Sequence, residues 1–152
     1  MSGLAQHLVQ FVDSVFLAQM GETELAGCGN AGIFYFIFLI VGFGFTVGTQ
    51  IIIGRRNGEK NYHSIGEVVD NGLFFTLIIA LFSFIILQFL SPILFEKIIT
   101  SHSIYLASVE YISWRSYGIF FGLINASLIA FYIGTKSTWV LAWTTVLLTV
   151  SN

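Results

Sequence analysis

The stretch AGIFYFIFLIVGFGFTVGTQIII, residues 31–53, runs for 23 positions without a charged side chain. A helix rises about 1.5 Å per residue, and about 20 apolar residues carry it across the hydrocarbon of a bilayer. Working outward, residues 71–95, 116–135 and 137–152 are also uncharged, and residues 1–20 carry Asp13 as their one formal charge. None of these runs alternates apolar and polar residues as a membrane barrel strand must. They predict an all-α integral membrane protein of about five transmembrane helices, over approximately 1–20, 25–54, 66–95, 105–133 and 138–152. The first and last of these are incomplete.

Composition leads to the same class. Of 152 residues, 56% are hydrophobic and 9% charged, with a mean hydropathy of +0.86. A soluble domain carries roughly a quarter charged residues, so this chain lacks the material for a water-facing surface. A net charge of −2 and six scattered basic residues give no stripe that would track phosphates, which excludes nucleic acid as a partner. The single cysteine, Cys28, permits neither an intramolecular disulfide nor a thiolate metal cluster. No basic residue precedes the first apolar run and Asp13 interrupts it, so the opening is not a signal peptide.

Short polar segments connect the spans: Gly21-Glu22-Thr23-Glu24, residues 55–65, residues 96–103, and Gly134-Thr135-Lys136-Ser137. Pro92 is expected to end or kink the third helix. The second and fourth connections hold Arg55, Arg56, Lys60 and Lys136, whereas the first and third hold only Lys97. Basic residues favour the cytoplasmic side, which places the second, the fourth and the N-terminus there, in a multi-pass protein of the cell membrane. Gly44 with Gly48, and Gly118 with Gly122, have the small-xxx-small spacing that lets helix backbones approach in lipid, although glycine is also simply common in such helices. Trp114, Trp139 and Trp143 fall near expected span ends, where aromatic belts form.

Asp13 is the most informative polar residue. It stands between apolar neighbours in Val9-Gln10-Phe11-Val12-Asp13-Ser14-Val15-Phe16-Leu17. A carboxylate at membrane depth costs several kcal/mol unless it faces a cavity or binds a cation. Burial disfavours its charged form, which suits it to exchange a proton or hold Na⁺. A solvated position near an interface is the plainer alternative. Glu110 and Arg115, five apart, share no helix face and read as interfacial charges, and Asp70 reads as an acidic start to the third helix. Asn30, Gln50, Gln88 and Asn125 either line a cavity or hydrogen-bond a neighbouring helix; Asn30, Gln50 and Tyr35 are the candidate cavity-lining residues. No histidine pair has metal-ligand spacing, and neither a nucleophile–base motif nor a phosphate loop is present, so an enzyme is not expected.

The ordered set of motifs resembles the multidrug and toxic compound extrusion (MATE) transporters. Phe11-Val12-Asp13-Ser14-Val15-Phe16 followed by Gly21-Glu22-Thr23-Glu24-Leu25-Ala26 is similar to their first helix and outer loop. Gly48-Thr49-Gln50 leading to Gly58 resembles the end of their second helix, and Tyr111, Gly118 and Gly134-Thr135-Lys136 resemble their fourth helix and its turn. Asn152 falls where that family has a fifth-helix asparagine. The resemblance implies part of the amino-terminal six-helix lobe of a twelve-helix antiporter that exports drugs or other organic cations. In it, Asp13 would be the coupling residue for H⁺ or Na⁺, with Asn152 contributing to the same site. H⁺ or Na⁺ serves as the coupling ion, and no further cofactor is implied. The implied partners are small organic, often cationic, substrates, the lipid bilayer and a second lobe, against which alternating access would rock this one. The chain departs from the family in lacking the proline-containing opening, in its cut fifth helix, and in ending before an acidic residue that usually follows the asparagine. Two alternatives are a lipid-linked saccharide flippase of the same superfamily and a small, non-transporting membrane assembly protein.

Overall fold

Glu22 and Glu24 in the first turn and Arg55 and Arg56 in the last complement the dipole of a helix, α1, that runs unbroken over Glu22–Gly58. A computed structural model describes residues 21–137 together with Trp139, Val140 and Trp143. The expected span over 1–20 therefore lies outside the described residues, as does that over 138–152 apart from those three positions. After α1 come α2 (Tyr62–Ile85), a π-helical turn (Ile86–Leu90), α3 (Ser91–Ile98), α4 (His102–Arg115) and α5 (Gly118–Gly134). The described residues include no strand.

Two rods, Glu22–Gly58 and Tyr62–Ile98, are each 37 residues long and apolar enough to cross a membrane. At about 1.5 Å per residue each is about 55 Å long, well beyond the roughly 30 Å of hydrocarbon. This explains why the helices outrun the apolar windows. The connection expected over 55–65 narrows to Glu59–Asn61, because Arg55, Arg56 and Glu59 remain helical or cap the helix once they are in water. Asn61, not a residue near Asp70, caps α2: its side chain accepts a hydrogen bond from the Ser64 N–H at 3.3 Å. Asp70 lies well inside that helix.

The helix expected over 105–133 is broken. α4 and α5 meet at a 48° bend, and together they are long and apolar enough to cross a membrane as one broken span. The second rod has its interruption too, but Pro92 does not end it. The Ser91 N–H reaches back five residues to the Ile86 carbonyl in a π-turn, and the Ser91 hydroxyl donates to the Leu87 carbonyl, so the chain continues helically to Ile98. The two interruptions touch. Ser116 Oγ lies 2.9 Å from Gln88 Oε1 and 2.8 Å from the Ser113 carbonyl, so its one proton serves either acceptor. Phe84 packs on Tyr117 and Phe120 beside them.

α1 packs along α4, α5 and α2, and α2 along α5. Gly27 meets Ala107, Gly122 meets Leu39, and Gly54 meets Gly134, so α1 runs parallel to α4 and α5. The distribution of side-chain size is that of a protein in lipid. Buried positions are mostly small: Ala31, Ala80, Ala126, Ala130, Thr46, Thr76, Ser83 and Ser108. Large side chains such as Phe36, Val41, Phe74, Phe82 and Phe121 are exposed. In a bilayer no hydrophobic force drives helices together, so close van der Waals contact between small residues, with occasional hydrogen bonds, takes its place. Thr76 and Ser127 make one such bond between α2 and α5 at 3.1 Å.

Of the glycine pairs read from the sequence, Gly44 and Gly48 meet no described neighbour within 4 Å, and Gly118 and Gly122 face only side-chain atoms of Tyr35 and Leu39. The close approaches are at Gly27, Gly42, Gly72 and Gly134 instead. At Gly134 a Cβ would come within 2.7 Å of Ile53 and 3.1 Å of the Gln50 carbonyl, so α1 and α5 touch backbone to backbone at that end.

Candidate functional site

Asp13 and Asn152, the candidate coupling residues, lie outside the described residues. Asn30, Tyr35 and Gln50 all lie on α1, spread along its length. Asn30 is exposed in a groove of about 530 Å³ with Phe34, Phe95, Ile99 and Ser101. Gln50 is half-buried at the other end of the helix, where its carbonyl abuts Gly134. Gln88 is the polar residue that bonds a neighbouring helix, through Ser116.

Tyr35 is buried, and a cation stands over its ring. The Arg115 guanidinium lies 5.1 Å from the centre of its ring and 5.9 Å from that of Tyr111. Both are within the roughly 6 Å over which a cation is attracted to a ring face. Beside this pair, Glu24, Cys28, Glu110, Tyr111, Trp114 and Arg115 line an open cavity of about 560 Å³. α1 supplies Glu24 and Cys28 and α4 supplies Glu110 and the aromatic rings, held in register by the Gly27–Ala107 contact. Carboxylates at the rim and rings in the wall can receive a cationic, partly aromatic molecule, and Arg115 already stands over one of those rings, Tyr111.

The depth of this site follows from α1. Twenty residues, or about 30 Å, separate Tyr35 from Arg55, which matches one hydrocarbon thickness. Exposed Trp114 and Tyr117 stand at the level of Tyr35, and exposed Trp139 stands beyond the Gly134 end. Aromatic belts form at such boundaries. The Arg115–Tyr35 pair therefore lies near one face of the hydrocarbon, and Arg55 and Lys136 lie at the other. The π-turn and the α4–α5 bend fall at the first of these levels, where Gln88 and the serines satisfy what the broken helices leave open.

At the second face the chain reverses twice in the same way. Lys60, with φ 58°, donates its N–H to the Asn57 carbonyl, while the Asn61 N–H returns to Arg56. Lys136, with φ 60°, donates to Ile133, while the Ser137 N–H returns to Tyr132. These are Schellman ends with lysine where glycine is usual. Arg55 and Arg56 both bond Glu59, at 3.0 and 2.9 Å, and chiefly the Arg56 bond, then the Arg55 bond, hold its carboxyl below the ordinary glutamate range. Asn57 Nδ2 donates to the Gly134 carbonyl at 3.4 Å, tying the two helix ends together.

Sequence reasoning missed the Arg115–Tyr35 contact. Tyr111 stands four residues before Arg115 and on the same helix face, which was readable, whereas Tyr35 arrives through tertiary packing. Among the described residues no group of three His, Cys, Asp or Glu side chains gathers to hold a metal.

A family model described as MatE matches residues 1–152. Among curated proteins, a "Probable multidrug resistance protein NorM" from Synechocystis sp. is 23% identical over 125 residues, covering 82% of this chain and 27% of that protein. The chain thus spans about a quarter of the length of that relative. No solved structure gives a significant match.

Proposed function

We propose that this chain, which belongs to the MatE family of multi-helix membrane transporters, forms part of the amino-terminal lobe of a cation-coupled antiporter that exports drugs or other organic cations. The observation that carries the proposal is the family match across all of residues 1–152. The relative's printed name, a multidrug resistance protein, supports the substrate class. In this reading Asp13 exchanges H⁺ or binds Na⁺, and Asn152 assists it. A carboxylate flanked by Val12 and Ser14 within an otherwise uncharged run is suited to that task, because lipid makes its charge conditional on a counter-ion. The end that carries Arg55, Arg56, Lys60 and Lys136 faces the cytoplasm. Substrate leaves toward the opposite face, on the side of the Glu24–Glu110–Arg115 cavity. A second lobe completes the transport pathway, since alternating access moves one repeat against another.

The test is Asp13→Asn in the complete transporter, assayed for drug resistance and for substrate efflux driven by an imposed H⁺ or Na⁺ gradient. Loss of coupled export with normal membrane abundance is expected. Undiminished resistance would remove Asp13 from the mechanism.

A further inference from the structure

We propose that the basic end of the bundle holds the phosphate of an anionic phospholipid between Lys60 and Lys136. α1 and α5 terminate side by side there, joined by Asn57 and the Gly134 carbonyl, and each lysine sits at the reversal just beyond its helix. Arg55 and Arg56 are engaged by Glu59. Neither lysine ammonium has an ion-pair or hydrogen-bond partner among the described residues, and both residues are exposed. Two free cations at the level of the headgroups, next to two arginines that share the one Glu59 carboxylate, complement one phosphate.

A lipid also needs somewhere to lay its upper chain. A groove of about 490 Å³ opens beside the lysines, lined by Tyr62, Ile65, Val69, Phe131 and Thr135, with Asp70 on the same wall. Its apolar side suits the first carbons of an acyl chain. The Asp70 carboxylate repels phosphate and keeps the headgroup on the lysine side. Exposed Trp139 and Trp143, packed edge to face at 6.1 Å, follow Lys136 closely and mark this end as interfacial. Basic clusters just outside a membrane span attract anionic lipid, and pockets between helices hold such headgroups. The proposal stands apart from the transport reading, because lipid selectivity needs no transport to be measured.

Trp139 and Trp143 make the test direct. The full chain carrying Trp114→Phe is reconstituted in phosphatidylcholine vesicles containing brominated phosphatidylglycerol or brominated phosphatidylcholine, and tryptophan quenching is compared. The expected result is a preference of about thirtyfold for the anionic lipid, since each of the two lysines near the surface contributes about fivefold. Lys60→Asn with Lys136→Asn should bring the ratio to about one, and asparagine is chosen because it tolerates the left-handed backbone. Lys97→Gln, at the other end, should leave the ratio unchanged, and helical circular dichroism verifies folding of each variant. Equal quenching by both lipids in the parent chain overturns the proposal, as does a preference that survives in the double lysine variant. If the double variant loses helicity, raising the salt concentration on the parent chain decides: an ionic headgroup site loses its preference and a purely apolar one keeps it.

Discussion

Gly27→Ala and Gly29→Ala are the same substitution two residues apart on α1, and the structure gives them opposite signs. A Cβ on Gly27 would stand 2.7 Å from the Ala107 Cβ and 3.1 Å from both the Ala107 carbonyl carbon and the Ser108 nitrogen. No rotamer relieves this, because two of those atoms are backbone and the third is fixed to it. The helices α1 and α4 must part. Overpacking of this kind costs about 1–3 kcal/mol. Alanine recovers about 1 kcal/mol of helix propensity over glycine, leaving Gly27→Ala destabilised by up to ~2 kcal/mol. A Cβ on exposed Gly29 meets no described atom within 4 Å. That variant keeps the propensity gain alone, about 1 kcal/mol. The propensity gain is common to both, so the two should differ by the overpacking cost, roughly 1–3 kcal/mol, which is measurable by titrating the chain in mixed micelles with a denaturing detergent and following tryptophan fluorescence. Equal stability of the two variants would refute the claim that backbone contact at Gly27 holds α1 to α4.

The junction of the two helix breaks is expected to be weaker but local. Ser116→Ala removes the hydroxyl between Gln88 and Ser113 and should cost about 0.6 kcal/mol, the usual size for such a bond in a membrane protein. Hydrogen exchange should quicken selectively in the π-turn around Ile86–Leu90. Lys60→Gly should raise the thermal midpoint, because lysine at φ 58° bears a backbone penalty of about 1 kcal/mol that glycine does not. A lower midpoint would show that the lysine's charge outweighs that penalty at the helix end.

The helices were readable in the sequence because a run such as residues 31–53 has no other stable form in lipid. Their ends were less so. Residues 55–65 read as a connection by polarity, yet polarity bars a residue from hydrocarbon and not from a helix, so Arg55 and Arg56 continue α1. Pro92 read as a stop or a kink because it lacks an N–H, and the helix is interrupted by a π-turn just before it but does not end there. The α4–α5 bend falls at Ser116 and Tyr117, where no proline announces it. Spacing also misdirected the glycines: Gly44 and Gly48 have the expected interval but face away from every described helix, while Gly27 and Gly134 touch backbone at single points. Asp13 and Asn152 were read as candidate coupling residues from the resemblance alone, and both lie outside the described residues. The Arg115–Tyr35 contact joins residues eighty positions apart, a relation no local pattern carries.

The placing of small residues inside and large ones outside has a consequence for how this chain tolerates change. In a water-soluble protein the bulky core positions resist substitution and the surface drifts freely. Here the strict positions are the modest ones: a methyl added at Ala31 or Ala80, each fully buried, must push a whole helix aside. Exposed Phe36, Val41 or Phe82 can be exchanged among leucine, isoleucine and phenylalanine at little cost, provided that no charge enters. A saturation library of this chain should therefore show its most permissive sites among its largest side chains and its least permissive among alanine, serine and glycine.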